Sequence, residues 1–560
     1  MQDLIIEFFF NCEILTVDQN DSRAEAMAIF QEKIIAIGTE ENVRSEMKQF
    51  IDNYKTEFNL DIKVREMDIV GSYIVPGFID AHMHPGLYVY FKTQLDLFTV
   101  KSYSDLGNRL KIEDETREPD KWILGINLIE NDFEIPEERR FPTKQDLDGF
   151  IPERPVVIFR HDGHICAVNS VILGMIGIDN SNVNEKMSES GEIRVDEEGN
   201  PTGIFTEDAV SYVTEIIPLP TIEDLKEASK KMSRELAEYG ITTCGGIIQS
   251  GDIGPAGKAG AMELPLVQAL IKEGLIKQDF VFYVITDKPR TLLRLQKTFQ
   301  KLSERGDEFI IGGIKMFADG TFGASSAYLF EPFSDSTNGN CGFMVNKRDA
   351  LFRLAKETSD LGFQVACHSI GDKSNQIVVD VYQDILTGSI GKTPLLRIEH
   401  ASQLTPEIIR DTASQGIVMV CQPAFLDSEY SWLEKRLGPE RIKYTYPFRS
   451  ILNAGILLAG ASDAPIESAD VLRGIHACIT RNGFVPGEAI TLSEALRIFT
   501  YNAARALGQE SIKGSLEKGK LADFVILDRN PESVPPEELA EIIIFTTYHR
   551  GFPVYRYLEG

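Results

Sequence analysis

The sequence predicts an α/β protein: a (β/α)8 barrel, a small composite β-sandwich built from both termini, and a cap subdomain inserted after the first barrel strand. Three observations predict it. A helical pattern, a glycine and an apolar strand recur in that order through the middle of the chain; β-rich stretches stand at both ends; and one interval between strands is far longer than a loop.

Residues 1–74 read as short strands, with "LIIEFFFNCEILTVD" followed by "AEAMAIFQEKIIAIG", whose Gln-Glu-Lys centre suits a turn. The opening apolar run is no signal peptide by this reading, because no basic segment precedes it and Glu7 and Glu13 interrupt it. At the other end, "LADFVILD" and "TTYHRGFPVYRYL" are again β-rich, with Arg550-Gly551 as a hairpin turn. Residues 1–74 and 508–560 are therefore expected to share one sheet domain, leaving 75–507 for the barrel.

Within the barrel region Thr221 opens a helix in which Leu225, Ala228, Met232 and Leu236 recur at helical spacing, Gly240 suits its C-cap, and the strand "ITTCGGI" follows. The same order returns in "LFRLAKETSDLGFQVACHSIGD", "TPEIIRDTASQGIVMVCQP" and "SILNAGILLAGASDAP". Thr491 and Glu494 form a capping box for "LSEALRIFTYNAARAL", which closes the region. About 150 residues separate "HMHPG" from "ITTCGGI", too many for a βα loop, so 92–220 is assigned to the inserted cap. Inside it "RPVVIFRHDGHICAVNS" reads as a strand and a polar turn, and "GEIRVDEEGNPTGIFTE" as a hairpin.

Composition narrows the function. A formal charge of -28 repels phosphate backbones and anionic lipid, so neither nucleic acid nor membrane is an expected partner. No apolar run reaches membrane-spanning length. The seven cysteines are scattered and contain no C-x-x-C pair, which excludes a disulfide framework and a cysteine zinc knuckle and fits a reducing cytoplasm. A small-molecule substrate remains, with a homodimer as the default assembly.

The residues with chemistry stand at strand ends. In "FIDAHMHPG", His82 and His84 are two apart and so present both imidazoles to one face. His368 ends the run "FQVAC", His400 ends "LLRIE", and Asp463 follows "ILLAGAS". The C-terminal ends of barrel strands converge on one mouth, so these five side chains are expected to meet there as metal ligands. Lys315, in "IIGGIKMFADG", would bring a competing cation to that point unless it is neutral through desolvation or carbamylated to an anionic oxygen ligand. Glu399, beside His400, is a candidate to hydrogen-bond it. Asp319-Gly320 suggests a tight turn, and Phe317 and Phe322 are candidates for an apolar substrate wall. His161, His476 and His549 are read as surface or packing residues.

Taken together, "PGFIDAHMH", "RHDGHICAVNS", "IKMFADGTFGASSAYL", "ACHSIGD", "RIEHAS", "ASDAP" and "GSLEKGKLADFVILD" resemble the amidohydrolase superfamily, and within it the subgroup of metal-dependent hydrolases that includes the N-substituted formamide deformylases. The resemblance spans nearly the whole chain. It implies a binuclear centre with His82, His84 and Asp463 on one ion, His368 and His400 on the other, and Lys315, carrying carbon dioxide as a carbamate, bridging them. This donor set suits two zinc ions, and manganese, iron or cobalt would also be accommodated. The implied reaction is hydrolysis of a non-peptide C–N bond, in an amide, a cyclic amide or an N-formyl group, by a metal-bound hydroxide with Asp463 as general base and acid. His164 is implied to steady the substrate or its oxyanion.

Three alternatives stand beside this reading. A deaminase of the same superfamily resembles a mononuclear design with glutamate three residues after the fifth-strand histidine, where this chain has Gly371. Carboxylester hydrolysis needs nearly the same machinery. A catalytically silent regulatory scaffold should lack a ligand, and none is missing. Ala461 and Ala464 depart from the family pattern in "ASDAP" and bear on pocket shape.

Overall fold

The computed structural model describes residues 4–557 apart from 162–163, 184–190, 253, 255–259, 304–305, 307 and 389–393. The expected polar turn at 162–163 lies outside the described residues. The chain divides into two compact units, one comprising the residues up to Tyr88 and from Lys230 onward, the other Val89–Ser229.

The first unit contains an eight-stranded parallel sheet. Its strands, in chain order, are Phe78–Met83, Ile241–Gln249, Asp279–Ile285, Phe309–Phe317, Gln364–Ser369, Leu396–His400, Val418–Cys421 and Leu458–Gly460. Each pairs with its neighbour in sequence. The first and eighth close on one another through their ends: Asp463 N–H donates to His82 O at 2.9 Å and His84 N–H to Ala464 O at 2.8 Å. Buried residues from most of the strands, among them Ala81, Ile247, Tyr283, Ala366, Val420 and Ala459, fill the interior.

The helical periodicities materialise. Thr221 caps the helix Ile222–Glu238, whose Ala228, Met232 and Leu236 are buried, and Gly240 at φ +75° turns the chain into the second strand. The Thr491–Glu494 capping box forms, but the expected long helix stops at Ile498 and resumes at Tyr501, because Thr500 leaves the helical region at φ -131°, ψ -96°.

Both termini build one six-stranded sheet, in which Tyr73–Pro76 of the N-terminal segment pairs antiparallel with Phe524–Leu527 of the C-terminal one. A four-stranded sheet of N-terminal strands packs on it through Phe9, Met27, Ile74, Phe524 and Tyr548, with Phe9 edge-on to Phe524 at 5.2 Å. Arg550 and Gly551, both at positive φ, make the expected hairpin turn. Residues 1–74 are not all strand, however. Glu40–Phe58 is a helix, capped by Thr39 and ended by Asn59 at φ +53°, with Val43 and Met47 buried one turn apart.

The second unit has its own six-stranded mixed sheet and its own core, including Leu106, Leu110, Phe133, Leu147 and Ile158. The two segments of "RPVVIFRHDGHICAVNS" pair as Val156–Arg160 against Ile165–Val168, and the expected hairpin spans Ile193–Val195 and Pro201–Thr206.

One expectation about histidines fails. His549 is neither surface nor ordinary packing: it is buried where the N-terminal end of the third barrel strand meets the composite sheet, 3.1 Å from both Asp279 and Asp523. Lys513 and Arg550 pair with the same Asp279. Burial alone would lower the imidazole's pKa, but Asp279 and Asp523 carry it up to about 9. A folded-state value above the unfolded one of about 6.5 means that the contribution is full below that pH and is lost as pH rises through about 9. The melting temperature should therefore fall between pH 6.5 and 9.5, and His549→Gln should flatten that slope while lowering the plateau; an unchanged slope would refute the assignment.

Candidate metal centre

Strand alternation explains most of the site. Lys315 and Phe317 share one face of the fourth strand, Phe317 is in register with His368, and His368 with Glu399, so these four side chains point into the barrel. By the same alternation His400 should point outward. Its backbone instead lies at φ +72°, followed by Ala401 at +47°, and the ring turns inward to 4.5 Å from His368 and 5.2 Å from His82. Asp463 also stands in the left-handed region, at φ +63°.

His82 and His84 reach the same carboxylate: Asp463 Oδ1 lies 3.3 Å from His82 Nε2 and 3.1 Å from His84 Nε2. The three donor atoms fall within 4.8 Å of one another. Among the described residues Asp463 Oδ1, though buried, accepts no well-directed hydrogen bond, so its lone pairs and the two imidazole nitrogens converge on a common point without satisfying one another. Such a donor set fits a divalent cation. Burial opposes ionisation of Asp463, but the two histidines hold its carboxyl well below the usual carboxylate range.

Hydrogen bonds fix which ring nitrogen each histidine offers. His82 Nδ1 is 2.5 Å from Glu399 Oε2, leaving Nε2 for the site. His400 Nδ1 is 2.9 Å from Gln422 Oε1, again leaving Nε2. His368 is reversed: Nε2 donates to Gly320 O at 3.0 Å, so Nδ1 is the atom left over. Burial lowers His368 to about 3 and holds His400 well below its ordinary value, so both are neutral and able to ligate.

Lys315 is buried with Nζ 3.1 Å from His82 Nε2 and 5.2 Å from the Phe317 ring. Burial is the main reason its pKa falls to about 8, with Glu399 and Asp463 opposing the shift. That shift makes the unprotonated amine, the form that reacts with carbon dioxide, far more accessible than in an ordinary lysine.

Other expected residues land differently. Glu399 does not bond its neighbour His400; it serves His82 across the barrel, while His400 Nδ1 meets Gln422. Phe317 is half-buried, 5.6 Å from the His368 ring, whereas Phe322 is 1% exposed and is a packing residue, not a wall open to substrate. His164 belongs to the second unit, where its exposed ring pairs with Glu207 at 2.8 Å.

Asp80 is absent from the sequence analysis, and Asp319 enters it only as part of a turn. Asp80 accepts from the backbone of His82 and Ser462 and from the Ser462 hydroxyl, tying the first strand to the eighth. Asp319 accepts the backbone N–H groups of Tyr328, Ile370 and Gly371, which fixes the loop that carries Gly320 beneath His368. For Asp80 the available signal was a charged residue in an apolar strand two positions before a candidate ligand, in "DAH".

A model of the amidohydrolase family matches residues 65–555. N-substituted formamide deformylase of Arthrobacter pascens is 28% identical over 570 residues, covering 98% of each chain. Protein LONG AFTER FAR-RED 3 of Arabidopsis thaliana is 30% identical over 561 residues, 97% of this chain and 91% of that one. Among solved structures, an uncharacterized metal-dependent hydrolase from Pyrococcus furiosus matches with a TM-score of 0.71 at 26% identity, over 94% of this chain and 99% of that one. The chain belongs to the amidohydrolase family, and its class is that of a metal-dependent hydrolase acting on carbon–nitrogen bonds.

Asp319→Ala should cost about 1–3 kcal/mol in a denaturant titration, since it strands buried backbone donors, and should reduce activity through the freed loop. Wild-type stability would show that the loop is held by other contacts.

Proposed function

We propose that the chain hydrolyses the C–N bond of a small amide, cyclic amide or N-formyl amine at a binuclear centre. His82, His84 and Asp463 would hold one divalent cation, His368 and His400 the second, with Lys315 as a carbamate between them. The observation that carries this reading is the convergence of donors from the first, fourth, fifth, sixth and eighth strand ends on one buried space. Zinc suits the donor set, and manganese, iron or cobalt would also be held. Bound divalent cations supply Lewis acidity, polarising the substrate carbonyl and making water acidic enough to lose a proton near neutral pH.

The rest is work for the protein's own groups. Asp463, as a carboxylate, takes a proton from the attacking water. The water oxygen adds to the carbonyl carbon, the C–N bond breaks, and Asp463 returns the proton to the departing nitrogen. Phe317 offers an apolar face beside His368 for the substrate's acyl part. His164 is proposed to contact substrate, on the basis of its motif alone. The formamide reading is supported by the likeness to the Arthrobacter deformylase over nearly the full length of both chains.

Deamination is disfavoured by one local fact. Where that chemistry would call for glutamate, a Cβ on Gly371 would fall 2.2 Å from Tyr328 O, so the position has no room for a side chain.

Asp463→Asn should lower turnover of an N-formyl amine by about 100-fold or more while the fold, followed by circular dichroism, is kept; near-normal turnover would remove its role as base. Elemental analysis should find about two metal ions per wild-type chain and at least one fewer in Lys315→Ala, with short carboxylic acids partly restoring activity. Equal metal content in the two would show that Lys315 is no ligand. His164→Asn should change substrate kinetics and leave metal content as it is; loss of metal would overturn its assignment to substrate.

A further inference from the structure

We propose that Glu399, clamped by Arg397, is a positioning residue that fixes the tautomer of His82 and thereby sets how tightly the centre holds its cation. The proposal rests on the reading of His82 as a ligand.

Glu399 and Arg397 are both fully buried inside the barrel, two residues apart on the inward face of the sixth strand. Arg397 Nε donates to Glu399 Oε1 at 2.8 Å and Nη2 to Oε2 at 3.0 Å, so both carboxylate oxygens are engaged and the group is held as an anion. An ionised carboxylate can only accept. The proton in the 2.5 Å contact between Glu399 Oε2 and His82 Nδ1 therefore sits on the imidazole, which leaves the Nε2 lone pair directed at Asp463 and Lys315.

The clamp is itself supported. Arg397 Nη1 donates to Tyr283 OH at 2.6 Å, and that hydroxyl donates onward to Gln364 Oε1 at 2.8 Å. Arg397 Nη2 also donates to Ala81 O at 3.0 Å, the carbonyl preceding His82. The network thus crosses the barrel from the third and fifth strands through the sixth to the first, none of which adjoins the first in the sheet. Buried ion pairs seldom add stability over an apolar core, so a fully buried pair ending on a ligand's second nitrogen calls for a role at that ligand. Ligating histidines depend on such partners, whose loss typically weakens metal affinity 10–100-fold.

The test is zinc affinity of the full-length chain, measured by competition with a chromophoric chelator, with melting curves of the zinc-free and zinc-loaded forms alongside. Glu399→Gln keeps the shape and removes the charge; its zinc dissociation constant should rise by about 10–100-fold. Tyr283→Phe leaves the ion pair and removes one support, so a rise that is smaller but measurable is expected; it also serves if Glu399→Gln does not fold. Wild-type affinity in whichever of these folds overturns the proposal. His82→Asn is the control that separates the two readings. If it loses zinc while Glu399→Gln binds as wild type, the ligand stands and the positioning role falls; if His82→Asn itself binds as wild type, the ligand reading falls and the proposal with it.

Discussion

The seam between the first and eighth barrel strands is the constraint on which the rest depends. Asp80 gathers the His82 amide together with the amide and hydroxyl of Ser462, and the neighbouring backbones exchange hydrogen bonds at His82, His84, Asp463 and Ala464. Closing the barrel and assembling three donor atoms are thus one event. Were the seam to slip by a residue, the period-two alternation would send His82 out of the barrel and leave Asp463 facing nothing.

What the sequence made legible follows from periodicity. The repeat of helix, glycine and strand needs only local spacing, and strand ends such as "FQVACH" mark themselves by the change from apolar to polar residues. The hairpins at both termini were equally plain, because turn residues are local signals. The helix Glu40–Phe58 was passed over although Thr39 caps it and Val43 and Met47 share a face: its polar surface and strand-rich surroundings masked a periodicity that was present.

The second layer of the site was less legible, for a different reason. Glu399 lies next to His400 in sequence, yet serves His82, more than three hundred residues away, a pairing that only the closed barrel creates. His549 misleads in the same way, since nothing near it in sequence announces that Asp279 and Asp523 will surround it. Charged residues inside otherwise apolar strands are the common thread: burying them is tolerable only with partners, and the partners come from other parts of the fold.

The left-handed backbone at His400, Ala401 and Asp463 has a consequence for how this protein can change. Those torsions suit glycine, and a β-carbon there sits against the chain's own preference. Two of the side chains proposed for the centre are thus held by a scaffold that would locally be more relaxed without them. Selection for robustness alone would erode the site first, so a lineage that no longer needs the chemistry should lose these residues early and gain thermal stability as it does. The reverse also holds: hardening this enzyme by design has to begin elsewhere, in the helix caps and surface charges, and leave the uncomfortable turns as they are.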